Sequence, residues 1–273
     1  MADGNDAEDV RTLTEFLEAV FKFVDQDHVL FRGQRRTSWD LQPTLARIDA
    51  RTPDQTALSV ERKIMDSFRR EYLPHVTREL RDEWDTLAVA QHHGLYTRML
   101  DWSLSPLAAL WFAVRKPAEG DEPGAVFMFQ PDSDDYADDL RAQGVSPYTV
   151  NRTLFFQPTH LSPRIVAQNG WFAVHAWSEE TGFSRLDKLQ AYNGRIKRAH
   201  IAPERFCVLR DDLDRLGVNE AALFPELDGL CTHLNWYHTL LSDEKPTETE
   251  PSDSAPPDAV KDPGVSPHKN LSG

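Results

Sequence analysis

The sequence predicts an α+β fold: a single domain with a mainly helical N-terminal half and a small mixed or antiparallel sheet after it. Three observations carry this reading. From Leu13 to Val114 apolar residues recur mostly at helical spacing. From Gly124 onward, runs such as "AVFMF" and "GWFAVHAW" are rich in valine and aromatic residues, as strands are. Near Asp243 the composition shifts to Pro, Ser, Thr, Asp and Glu, with six prolines in the last 31 residues. Such a segment buries too little apolar area to offset its ordering entropy. The domain is therefore expected over 10–241, with a frayed polar stretch at 1–9 and a disordered acidic, Pro-rich tail at 242–273.

The elements follow in order. Thr12-Leu13-Thr14-Glu15 fits a capping box, and Leu13, Phe16, Leu17, Val20, Phe21 and Val24 then repeat as a helix. "HVLF" at 28–31 reads as a strand that turns at "RGQRR", and Pro43 excludes a regular central strand after it. A second helix spans about 56–72 and a third about 81–92, where Gly94 is placed to end it in the left-handed conformation. The stretch Gln91 to Trp102 links this helix to the next, its polar groups serving the exposed helix ends. Ser105-Pro106 opens a fourth helix, Pro106 to Val114, apolar nearly all round and hence buried. "AVFMF", "GWFAVHAW" and "GRIKRAHI" are three strands, with a loop and a short helix after the first. Helices over about 203–216 and 225–240 close the domain, the last with Leu227, Leu230, Leu234 and Tyr237 near one face.

Charge and cysteine usage narrow the functions. Of the net charge of −14, the residues from Asp243 on carry −4 and the rest −10. An acidic body argues against extensive nonspecific nucleic-acid binding, which needs many phosphate contacts, though not against a local basic cleft. Cys207 and Cys231 belong to no CxxC pair, which fits two buried, reduced thiols in the cytoplasm. The N-terminus lacks the basic and apolar regions of a signal peptide, and no apolar run reaches the ~20 residues of a membrane span, so no membrane partner is expected. GxSxG, HExxH, Walker and GxGxxG patterns are absent.

Two stretches concentrate polar chemistry. In "FRGQ", Arg32 offers a planar five-donor fork suited to phosphate or carboxylate, beside Gly33, where a backbone can approach a ligand. The alternative is a strand-end arginine paired with a core carboxylate. "QHHGLYTRMLDW" sets His92, His93, Arg98 and Asp101 just before a buried helix. The histidines fit a helix C-terminus, and as neighbours they point about 100° apart, so no metal site is expected. Arg98 and Asp101, three apart, are close enough to pair. Ser103 and Ser105 read as helix-start residues. Trp102, Trp111, Trp171 and Trp177 could stack on a base, but buried tryptophan is the commoner reason for such residues.

Phe31-Arg32-Gly33-Gln34, Gln91-His92-x-Gly94, Thr97-Arg98-x-Leu100-Asp101-Trp102 and the run Ser105 to Ala113 together resemble the FRG domain, named for its Phe-Arg-Gly motif. The resemblance is strong over Leu13 to Ala113 and continues more faintly through Arg164 to Phe172, where Gln168 falls, and through "LFPELDGLCTHL". His93, Tyr96 and Met99 depart from the usual pattern without removing a motif polar group. The family is widespread in bacteria and phages, which implies a toxin or phage-defence setting.

A strand-end Arg-Gly followed by helices and strands is also similar to the ADP-ribosyltransferases, in which a first-strand arginine or histidine orients NAD and a later glutamate stabilises the charged ribose. That similarity implies a nucleotide-handling enzyme, an NAD-dependent ADP-ribosyltransferase or an NAD-cleaving relative, with NAD as substrate. Arg32, His92, Asp101 and Glu226 are its candidate catalytic residues, and Arg32, Gly33, Gln34, Arg98 and Gln168 its candidate binding residues. The Glu-x-Glu pair of those enzymes is missing: Glu179 and Glu180 are adjacent and would face opposite sides of a strand. The alternative is a non-catalytic module that binds a nucleotide, a nucleic-acid end or an acidic peptide.

Overall fold

In the computed structural model, which describes residues 7–24, 28–52, 54–76, 79–159 and 162–246, helices and strands interleave along the whole chain. The order is β1 (Ala7–Val10), α1 (Leu13–Phe23), β2 (Leu30–Gln34), α2 (Ala57–Glu71), α3 (Glu83–His92), β3 (Met99–Ser103), α4 (Pro106–Val114) and β4 (Gly124–Phe129). Next come α5 (Asp138–Ala142), β5 (Leu154–Phe156), α6 (Pro163–Ala167), β6 (Gly170–Val174) and the small hairpin β7 (Trp177–Ser178) and β8 (Gly182–Phe183). The chain continues through β9 (Ile196–Ile201), α7 (Phe206–Arg215), α8 (Glu220–Leu223) and α9 (Leu227–His238). The α+β class holds. The mainly helical N-terminal half does not, because β1, β2 and β3 all fall within it.

Seven strands form one mixed sheet in the order β1-β9-β4-β2-β3-β6-β5. Only β1 and β9 run parallel; the other neighbours are antiparallel. Side chains alternate across a strand, so each strand feeds two cores. On one face α1, α4 and α7 pack Phe16, Val20, Leu110, Phe206 and Leu209 against Phe31, Val126 and Met128. Farther along that face α2 and α3 pack Met65, Trp84 and Leu87 against Met99, Phe172 and Val174. The opposite face, with Leu30, Leu100, Trp102, Phe127 and Phe155, is closed by Leu41, Leu186 and Tyr192 from irregular segments.

Local sequence explains the helix ends. Thr12 and Glu15 complete the capping box of α1, and Ser105 caps α4 by accepting the amide of Ala108 at 3.2 Å. Gly94 (φ 86°) ends α3 in the left-handed conformation.

Three strands depart from the expected organisation. Residues 99–103, read as part of a polar link, form β3 at the centre of the sheet, with Leu100 and Trp102 on one side and Met99, Asp101 and Ser103 on the other. β5 is three residues long, too short for a period to show. β1, within the stretch expected to fray, is acidic and is held by its ladder to β9. At the other end, Asp243 and Glu244, assigned to the tail, both bind the buried Arg210 at 2.7 Å. The remainder of the expected tail from residue 247 lies outside the described residues. The apolar stripe of α9 faces outward, with Leu227 73% and Tyr237 64% exposed. Among the described residues no helix is long and apolar enough to cross a membrane.

Candidate functional site

The two cores on the helical face do not merge. Where one ends and the other begins, a cavity of about 210 Å³ opens between α3, α4 and α6 over the β2–β3–β6 part of the sheet. Arg32, Gly33, His92, Asp101 and Gln168 line it, together with Arg164, and aromatic residues such as Phe112 and Phe172 wall it. Five positions scattered over more than 130 residues of sequence thus meet at one hollow. Gln34, Arg98 and Glu226 are not among its lining residues.

Arg32 stands at a split in the sheet. β2 and β3 share a single paired position, Phe31 with Ser103, whereas β2 pairs with β4 along its whole length. The guanidinium fills the gap, donating from Nη1 to the carbonyl of Asp101 at 2.5 Å and from Nε to Gln34 Oε1 at 3.4 Å. Gln34 in turn donates to the carbonyl of Trp39 at 2.9 Å, which holds it away from the cavity. Among the described residues no carboxylate lies within ion-pair distance of Arg32, so its expected alternative role as half of a core ion pair does not arise. Burial lowers its pKa to about 10, against the opposing pull of Asp101, and the side chain stays protonated at neutral pH.

Gly33 has a different reason from the ligand approach the sequence suggested. A Cβ there would lie 1.7 Å from the carbonyl oxygen of Ala109, because α4 crosses the strand at that point. Glycine is required by helix-on-sheet packing, and the cavity begins beside that crossing.

His92 ends α3, and its Nε2 lies 3.2 Å from the Ser162 hydroxyl, which also caps α6. Burial first, then the neighbouring Arg164 and His93, push its pKa down to about 4. The imidazole is therefore neutral at pH 7 and available as a proton acceptor. Asp101 points from the same face of β3 and is exposed; its carboxylate accepts from Gln91 Nε2 at 3.1 Å, and Gln91 is itself fixed by the Thr97 hydroxyl at 2.7 Å. Gln168 spends its amide on the Leu223 carbonyl at 3.0 Å, tying α6 to α8.

The expected pairing of Arg98 with Asp101 does not occur. Arg98 precedes β3, and its guanidinium has another partner. It forms a fully buried pair with Glu61 of α2, Nη2 to Oε2 at 2.6 Å and Nε to Oε1 at 2.9 Å. This pair is buried on both sides and does not line the cavity. Glu226 is exposed, precedes α9, and lines an adjoining hollow of about 300 Å³ that shares His92 and Arg164 with the first.

Arg164 is the residue whose role sequence reasoning missed. Its guanidinium stacks 4.2 Å from the centre of the Phe224 ring, its Nε is buried without a hydrogen-bond partner, and it has no carboxylate within 4 Å among the described residues. The signal was present: no acidic residue lies three or four positions from it in the sequence, so a local helical partner was excluded. Glu220, in the adjoining hollow, was likewise not singled out; burial raises its pKa above the usual carboxylate value despite nearby arginines. No group of three or more potential metal ligands is assembled among the described residues.

Residues 27–122 match the family model of the FRG domain. This chain carries an FRG domain. No curated protein and no solved structure matches the chain. The matched FRG segment runs from β2 through α4 and supplies the strand split, Gly33, His92 and Asp101. Arg164, Gln168 and Glu226 lie beyond it, so the cavity is completed by residues outside the matched segment.

Proposed function

We propose that this FRG-domain protein binds a nucleotide in the cavity at the β2–β3 split and acts on it, with NAD as the first substrate to test. The observation that carries the reading is Arg164: a guanidinium with a buried, unpartnered Nε, no carboxylate partner and an aromatic stack, aimed where two hollows meet. A phosphate group would satisfy it as a charge-assisted acceptor. The first hollow alone, about 210 Å³, is below the roughly 300 Å³ typical of small-molecule sites. A nucleotide would therefore extend into the second, with its base against the aromatic wall.

In an NAD-cleaving or ADP-ribosyl-transferring reaction the bond between ribose C1′ and the nicotinamide nitrogen breaks. Nicotinamide leaves with the bonding pair and becomes neutral, and water or an acceptor nucleophile bonds to C1′ and gives up a proton. Neutral His92 is suited to take that proton. Asp101, or Glu226 from the adjoining hollow, would stabilise positive charge developing on the ribose. Arg32, held at the split, would keep the two strands in register with the ligand. A non-catalytic binding module is favoured by one observation: the side chains of Arg32 and Gln168 are already committed to backbone carbonyls.

The test is incubation of the full chain with NAD, alone and with cell lysate, followed by mass analysis of nicotinamide and ADP-ribose products. Turnover lost in Arg164→Gln and His92→Asn, both still folded, supports catalysis. Ligand protection against melting without turnover supports the binding module, and neither effect with any nucleotide overturns the reading.

A further inference from the structure

The second hollow adjoins another. A third cavity, about 410 Å³, shares Glu220 and Thr232 with the second, as the second shares His92 and Arg164 with the first. Each hollow thus adjoins the next through shared lining residues. At the far end stand Arg115 and Lys116, where α4 finishes. The Arg115 guanidinium lies 5.6 Å from the ring centres of both Trp111 and Phe112, which fixes it without neutralising it. Among the described residues neither Arg115 nor Lys116 has a carboxylate within 4 Å, although the chain holds 44 acidic residues against 30 basic ones. Glu220, the nearest carboxylate in electrostatic influence on Arg115, also feels Arg164, Lys116 and His233.

The helix C-terminus accounts for a cation at position 115. It does not account for a second, adjacent cation at Lys116 on the same cavity, where Asp214 and Glu220 are also among the lining residues but neither lies within 4 Å of Arg115 or Lys116. We infer that Arg115 and Lys116 form a second anion subsite, so that the preferred ligand is a nucleotide with two separated phosphate groups, one at Arg164 and one at the end of α4. This rests on the nucleotide reading above and narrows its substrate class. Trp236, on the wall of the same cavity, offers an apolar surface for whatever part of the ligand joins the two anions.

Calorimetric titration of the full chain with AMP and with adenosine 3′,5′-bisphosphate tests the inference. The bisphosphate should bind about tenfold tighter or more, the equivalent of one charge-assisted hydrogen bond. The double variant Arg115→Gln/Lys116→Gln should lose most of that advantage while its affinity for AMP stays the same. Lys116→Gln alone, at an exposed position, should lose part of it, and Arg115→Lys should retain more than Arg115→Gln. Equal affinity of the unmodified chain for the two probes, or a double variant that keeps the preference, overturns the second subsite and leaves the first intact. Failure of both probes to bind overturns the nucleotide reading together with this one.

Discussion

Arg32 and Arg98 lie on neighbouring strands or their flanks, and the structure separates their work. Arg98 is sealed with Glu61 between Tyr148 and Phe183, at 5.2 and 5.5 Å from their ring centres. Removing one member of a buried pair leaves a charge without a partner, so Arg98→Ala should cost about 3–5 kcal/mol in urea unfolding. The double change Arg98→Met/Glu61→Leu should cost markedly less, because no charge is stranded. A double variant as unstable as the single one would show that packing, not the stranded carboxylate, sets the cost. Gly33→Ala is expected to be comparably severe, since its methyl group would overlap the α4 backbone at Ala109. If Gly33→Ala melts like the parent chain, the close crossing of α4 over β2 is wrong.

Among elements, β3 and α6 decide both what the sequence revealed and what it hid. The long helices α2, α3 and α4 were legible because caps and periodicity agree over two or more turns, as at Ser105-Pro106. β3 was not, because five residues that include Asp101 and Ser103 show too few alternations to outweigh a polar composition. The expected partner for Arg98 rested on nearness in sequence, whereas Glu61 lies 37 positions away on α2. Of the motif residues expected to converge in one cleft, Arg32, His92, Asp101 and Gln168 line the cavity, whereas Gln34 and Arg98 do not; Arg164 was not singled out, because the lack of an acidic residue nearby in sequence leaves a distant partner open.

The end of β6 carries a separate prediction. His175 is fully buried, and Nδ1 lies 2.9 Å from the carbonyl oxygen of Ser184. Burial pushes its pKa down to about 4. The unfolded chain takes up a proton near pH 6.5 and the folded chain only near pH 4, so stability should fall as pH drops through that window. From 2.5 pH units at about 1.4 kcal/mol each, the loss reaches about 3 kcal/mol. His92 acts in the same direction, with a smaller effect because it is partly exposed. Chemical denaturation at pH 7 and pH 5 reads this slope, and a His175→Gln chain should show a shallower one. An identical slope in the variant would move the acid sensitivity elsewhere.

For the molecule as a whole, the final described residues belong to the folded body. Arg210 is buried, donates to the Val114 carbonyl at 2.7 Å, and is neutralised by Asp243 and Glu244. A chain ended at Pro246 should melt like the full chain, whereas one ended at Ser242 strands that guanidinium and should lose about 3–5 kcal/mol. Equal melting of the two truncations would show that water replaces the carboxylates without penalty.

The cavity also belongs to this scale, because the matched segment supplies the strand split and the later helices close it. The measurement that tests the account most directly is calorimetric titration of the intact chain and of its Arg164→Gln variant with ADP-ribose. The account predicts saturable binding to the intact chain and affinity at least about tenfold weaker in the still-folded variant, the loss of one charge-assisted contact. Equal affinity in the two chains, or no binding to either, would contradict it.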